Sequence, residues 1–283
     1  MKQVKYISPR TKEEVLEILQ EEKGKACIVA GCSNVLPNLR DRKIAPRVLV
    51  DITNLELLRG IVKEEGKVWL GPLTTIYELI SSKIIYKEYK VLAQAAREFA
   101  DPLVRNAATI GGNLVTASPA ADMAVPLLSL DAVIRIESLE SKREVKLNNF
   151  FIGPGKTILN NNELVVGIEF EQSDINKNGG FIKIGQRKAM AISIATIAVN
   201  IDWEENIIKQ IRIAAGSVAP IPLRLMGVEE FLKNNELTQE LIEEAADKVT
   251  KEVNPISDIR ASEEYRRYIS GILFKRAIRR LTN

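Results

Sequence analysis

The chain has no histidine in its 283 residues. That excludes the Ser-His-Asp triad, histidine-ligated metal centres and a flavin attached through histidine. Cysteine is nearly absent too: Cys27 and Cys32 are the only two, too few to ligate an iron–sulfur cluster within one chain. No apolar run approaches the roughly 20 residues of a spanning helix. The opening MKQVKYISP lacks a signal-peptide hydrophobic stretch. The expected setting is the cytoplasm, with both cysteines as reduced thiols. An excess of one charge is also missing, because 40 basic and 37 acidic side chains leave a net +3. No overall field therefore argues for nucleic acid or an anionic membrane. The basic cluster between Arg260 and Arg280 falls on an amphipathic C-terminal helix and reads as a solvated face.

What is present is a 46% hydrophobic content, enough for a sizeable core divided among two or three compact units. Thr11 and Glu14 form a capping-box pattern ahead of Val15, Leu16, Ile18 and Leu19, predicting a helix over 11–22. A short strand at 27–30, a small-residue loop and the strand Val48 to Ile52 complete a first α/β unit. The next unit opens on the strand Val68 to Leu70. Thr75 and Glu78 repeat the capping signal before a helix, and Leu92, Ala95, Ala96 and Phe99 mark one face of another over 91–100. Strands at 133–136 and 164–170 follow. The polar, glycine-ended SDINKNGG at 173–180 is a boundary. Beyond it come strands at 180–184, 194–202 and 207–215, then helices at 223–234, 238–251 and 258–281. That order suggests an α+β domain with helices on one sheet face.

The densest stretch is RNAATIGGNLVTASPAAD at 105–122. Adjacent glycines let a backbone approach a ligand closely, with amides aimed at anionic oxygens. Taken alone, Gly111-Gly112 is equally a bulge or tight turn. Thr109, Asn113 and Ser118 add polar side chains around the pair. Asp122 offers an acceptor for a ribose hydroxyl or adenine amine, or a helix N-cap before Met123. A second small-residue turn, AGCSN at 30–34, follows the apolar Cys27, Ile28 and Val29. Two such turns suit a diphosphate with a nucleotide at each end. The G-x-G-x-x-G and G-x-x-x-x-G-K-[ST] patterns are both missing, so the site is neither Rossmann nor Walker in design. Lys183, on the strand expected at 180–184, reads either as a solvated lysine or as a cation beside a flavin ring or phosphate.

These residues together resemble the FAD-binding medium subunits of molybdenum hydroxylases, the xanthine dehydrogenase and aerobic carbon monoxide dehydrogenase type. The resemblance rests on AGCSNVLP at 30–37, VLVDI at 48–52, RNAATIGGNL at 105–114, SPAAD at 118–122 and GPGKTIL at 153–159. It continues through AAGSVAPIPLR at 214–224 and SDIRASEEYRR at 257–267. It implies an α+β architecture: a two-subdomain FAD-binding fold of the vanillyl-alcohol-oxidase/PCMH-like kind, with limits at 1–55 and 56–175, then a separate α+β domain at 176–283. FAD would run extended between the first two. Ile28, Val29, Ala30, Gly31, Cys32, Ser33, Asn34 and Val35 would form the first diphosphate loop, and Thr109, Ile110, Gly111, Gly112 and Asn113 the second. Asp122 matches an acidic FAD contact, and Phe99, Val165 and Lys183 fall where related subunits touch the cofactor. The first loop departs from the common A-G-G-T pattern, with Cys32 for the second glycine and Ser33 for the threonine.

The resemblance also implies partners: a two-iron two-sulfur subunit, a molybdopterin subunit, and NAD or another electron acceptor. The flavin carries the chemistry and the chain ligates no metal. Two rival readings are a self-sufficient FAD oxidoreductase on the same fold and a non-catalytic nucleotide-binding module.

Overall fold

The computed structural model describes residues 4–187 and 190–282. The first unit is a parallel sheet of β1 (Lys5–Ile7), β2 (Ala26–Val29) and β3 (Val48–Asp51) in the order β1-β3-β2. The helices α1 (Lys12–Glu22) and α2 (Val35–Arg40) make the two connections. Thr11 starts α1 by accepting the Glu14 N–H at 3.2 Å, while the Glu14 carboxylate reaches past Thr11 to the Arg10 N–H at 2.8 Å. Val15, Leu16 and Leu19 pack with Val48, Val50 and Ile52 in this unit's core. Three-residue β1 shows no alternation long enough to be legible as a strand.

The second unit contains β4 (Ile61–Glu64) and β5 (Lys67–Leu70), then α3 (Ile76–Ser81), α4 (Lys83–Glu88), α5 (Lys90–Glu98), α6 (Pro102–Ala107), α7 (Ile110–Val115) and α8 (Ala124–Ser129). It ends with β6 (Val133–Glu137), β7 (Lys142–Lys146), the ribbon strands β8 (Phe151–Gly153) and β9 (Lys156–Thr157), and β10 (Leu164–Glu171). Five strands form an antiparallel sheet in the order β4-β5-β10-β6-β7. At α3 the capping box is complete: the Glu78 carboxylate accepts the Thr75 N–H at 2.6 Å and the Thr75 hydroxyl accepts the Glu78 N–H at 3.1 Å. Leu92, Ala95 and Ala96 are buried on α5 as the spacing predicts, and Phe99 follows its last turn, half-buried.

The third unit is an antiparallel sheet of β11 (Gly179–Gly185), β12 (Ser193–Glu204), β13 (Ile207–Gly216) and β14 (Leu223–Arg224), in that order, followed by α9 (Met226–Leu232), α10 (Gln239–Glu252) and α11 (Glu263–Thr282). Two helices start later than expected. Leu223 and Arg224 pair with Ala215 and Ala214, so α9 begins only at Met226. Asp258 accepts the N–H groups of Arg260 and Ala261 in a turn, which holds α11 back to Glu263.

The sheet is covered on both faces. Ile182, Ile197, Val199 and Ile213 face α9 to α11, while the alternate residues Phe181, Ala198 and Ala214 join the core of the second unit under α5 and α8. This is why β12 is buried over its first nine residues. The expectation of helices on one sheet face holds for the unit's own helices; the other face belongs to its neighbour. No described helix is long and apolar enough to cross a membrane.

Candidate functional site

The turn after β2 leaves the C-terminal edge of the parallel sheet. Gly31 is required there by close approach, because a Cβ on it would stand 1.8 Å from the Ala107 carbonyl oxygen. This contact brings the two sequence motifs side by side. Asn34 adds a hydrogen bond across them, Nδ2 to the Thr116 hydroxyl at 3.4 Å. Cys32 takes up φ 57°, the left-handed conformation glycine favours, so the turn keeps its glycine geometry without a glycine. Among the described residues, the backbone N–H groups of Gly31, Cys32, Ser33, Asn34 and Val35 have no internal acceptor. Burial pushes the Cys32 thiol up, with the nearby Asp51 charge adding to it, and burial and then Cys32 do the same to Cys27. Neither thiol is a ready nucleophile at neutral pH.

The second motif differs from the expectation. Gly111 and Gly112 lie inside α7, and their amides are not a free cradle. Ile110 donates to the Thr74 carbonyl and Gly111 to the Pro72 carbonyl, each at 2.9 Å, Gly112 to the Thr109 hydroxyl at 3.1 Å and Asn113 to the Thr109 carbonyl at 3.0 Å. The pair serves packing instead: a Cβ on Gly111 would stand 2.5 Å from the Pro72 Cβ. Gly112 is exposed, and a Cβ there would meet only the Thr109 hydroxyl, at 2.9 Å. The Asn113 side chain accepts the Met123 N–H at 3.3 Å and the Ser118 hydroxyl accepts the Ala120 N–H at 3.2 Å, so both help shape the segment that carries Asp122.

Asp122 does not cap α8, which begins after Met123 without a side-chain cap. It turns into the boundary with the third unit, where Oδ2 accepts from Lys183 Nζ at 2.5 Å. The Ser193 hydroxyl lies near enough to favour the charged carboxylate, but among the described residues no hydrogen bond closes on the buried Oδ1. Burial pushes the Asp122 carboxyl above its ordinary range, with the Lys183 charge as the largest opposing influence. Lys183 is no solvated strand lysine: its side chain is 7% exposed, and Nζ also donates to the Glu98 carbonyl at 3.2 Å, leaving one N–H of three. That bond brings the end of α5, and Phe99 after it, to the same place. Val165 is buried on β10, the strand against which α7 packs.

Thr116 and Arg105 lie within the 105–122 stretch but are given no role by the sequence reading, and the structure brings both into this region. The Thr116 hydroxyl lies against Asn34, and the Arg105 guanidinium binds the Phe99 and Ala100 carbonyls at 2.5 and 3.1 Å. Tyr6 and Asp51 join at the same sheet edge, the tyrosine hydroxyl donating to the carboxylate.

A run of five unsatisfied amides beside the exposed Cα of Gly112 suits an anionic diphosphate. The orphaned Oδ1 of Asp122 suits a ligand hydroxyl. The donor set therefore fits a dinucleotide such as FAD.

Residues 2–170 match the model of the FAD-binding domain in molybdopterin dehydrogenase, and residues 181–281 match the carbon monoxide dehydrogenase flavoprotein C-terminal domain. The chain belongs to the family of FAD-binding medium subunits of molybdenum hydroxylase-type oxidoreductases. Among particular relatives, it is 33% identical over 274 residues to the glyceraldehyde dehydrogenase medium chain of Sulfolobus acidocaldarius, covering 97% of this chain and 96% of that one. It is 33% identical over 275 residues to the xanthine dehydrogenase FAD-binding subunit of Escherichia coli O157:H7, covering 96% and 94%. Among solved structures, a carbon monoxide dehydrogenase from Hydrogenophaga pseudoflava superposes with a TM-score of 0.95 at 30% identity, covering 99% of this chain and 97% of that one.

Proposed function

We propose that this subunit carries electrons through FAD between an iron–sulfur centre on a partner chain and NAD or another acceptor, while a further chain holds the molybdopterin at which substrate is oxidised. The observation that carries this is the row of free amides from Gly31 to Val35 beside α7. In support, two cysteines cannot ligate a cluster, so electrons must come from another polypeptide. Relatives named as medium chains or FAD-binding subunits agree with that division of labour. The proposed units are 1–55 and 56–175 for FAD and 176–283 as the C-terminal domain, and the proposed setting is the cytoplasm.

Bound FAD supplies electron transfer in single or paired steps. The protein's part is to bind and orient. The Gly31 to Val35 amides hold the diphosphate, with Ile28 to Ala30 leading into the turn. The segment Thr109 to Asn113 forms the adjoining wall, where Gly112 admits the cofactor closely. Asp122 and Lys183, whose buried pair closes the far end of the crevice, would hold the cofactor there through the carboxylate and the lysine's remaining N–H. Phe99, Ser118 and Val165 complete the contacts.

The test is an absorbance spectrum of the purified chain, denaturing release of the cofactor, and anaerobic addition of NADH. Released FAD and bleaching by NADH are expected. Colourless protein that FAD cannot reconstitute rejects the reading. Released FAD that NADH leaves oxidised replaces NAD with a different acceptor.

A further inference from the structure

The segment joining α5 to α6 is bent through Ala100, whose φ of 39° lies in the left-handed region that an L-residue adopts only at a cost. Three successive carbonyls at this bend are taken by two cations. Lys183 binds the Glu98 oxygen, while Arg105, one turn along α6, binds those of Phe99 and Ala100 through Nε and Nη2. A planar guanidinium holds two acceptors at fixed separation, which a lysine cannot do. The clamp lies between two parts of the crevice: Ala107, at the end of α6, meets Gly31, and Glu98 meets the Lys183–Asp122 pair.

We propose that Arg105 is a positioning residue of the flavin site, whose bidentate grip on the Phe99 and Ala100 carbonyls fixes the strained bend and so aims Phe99 at the cofactor. This rests on Phe99 being a flavin contact. A bend held only by sterics would relax toward the right-handed region and carry the Phe99 ring with it. A side chain that acts through the backbone in this way leaves a spectroscopic signature distinct from simple loss of stability.

The test uses the full-length chain loaded with FAD. Visible-region circular dichroism of the flavin bands and the FAD dissociation constant are compared for Arg105→Met, Arg105→Lys, Phe99→Ala and Arg105→Met with Ala100→Gly. Arg105→Met is expected to weaken FAD binding about tenfold and to alter the flavin dichroism as Phe99→Ala does. Arg105→Lys should not rescue it, and adding Ala100→Gly should restore most of the signal by removing the left-handed penalty. An unchanged dichroism in Arg105→Met, with or without loss of stability, overturns the proposal while Phe99→Ala still changes the spectrum. If Phe99→Ala also leaves the spectrum unchanged while FAD is bound, Phe99 is no flavin contact and both readings fall. Should Arg105→Met not fold, Arg105→Lys decides between the same outcomes.

Discussion

Cys32 shows how one side chain can depart from a pattern while the backbone does not. At φ 57° it occupies the conformation a glycine would hold without penalty, at a cost of about 1 kcal/mol. Cys32→Gly is expected to keep stability within about 0.5 kcal/mol of the parent, because relieved strain is offset by the freer unfolded chain. Cys32→Val should lose about 1–2 kcal/mol, since a β-branched residue tolerates positive φ worst; urea midpoints distinguish them. Asp258 offers a pH test. Burial pushes its carboxyl up, but bonds from the Arg260 N–H and from the Arg266 and Arg260 guanidinium groups outweigh that and hold it at about 2, against 3.8 ordinarily. A depressed carboxyl stabilises the fold above its unfolded pKa, and that contribution is lost as pH falls from 3.8 toward about 2. Thermal unfolding of Asp258→Asn should therefore show a shallower decline over that window than the parent.

Among the elements, α7 is where sequence and structure part. Paired glycines disfavour a helix interior by roughly 1 kcal/mol each, so a loop was the natural expectation for Gly111-Gly112. The helix forms because the carbonyls of Thr74 and Pro72, distant in sequence, accept its first amides, and because only a glycine fits against Pro72. Gly111→Ala is expected to cost about 1–3 kcal/mol through overpacking. Gly112→Ala should cost less in stability but impair FAD retention, since its Cα is exposed. Denaturant titration with and without FAD separates the two effects. The capping signal at Thr75 is legible in full and that at Thr11 for its hydroxyl half, the Glu14 carboxylate taking the Arg10 N–H instead, because a cap is satisfied within a few residues of chain.

Across the whole molecule, the second and third units share a core and a buried ion pair. Asp122 and Lys183 come from different units, and their side chains are 9% and 7% exposed. Removing one partner strands the other charge, so Lys183→Met is expected to cost about 3–5 kcal/mol, with the double variant Asp122→Leu, Lys183→Met recovering most of it. A double-mutant cycle on denaturant unfolding measures the coupling; additive losses would mean the pair does not join the units. Asn200 repeats the theme, its side-chain amide donating to the Ser129 carbonyl at 3.1 Å and hydroxyl at 2.9 Å across the same boundary.

The sequence by itself determined what is local or compositional: the capped starts of α1 and α3, the strand-first order of the last unit, the absence of cluster ligands, and the ordered motifs that mark the family. Only the tertiary structure decided which amides stay free. A backbone N–H is spent or spared by acceptors far away in the chain, so the Gly-Gly motif lost its cradle to Pro72 and Thr74 while the turn at Cys32 kept one. The same holds for Lys183, Asp122 and Arg105, whose partners lie on other elements and become visible only when those elements pack.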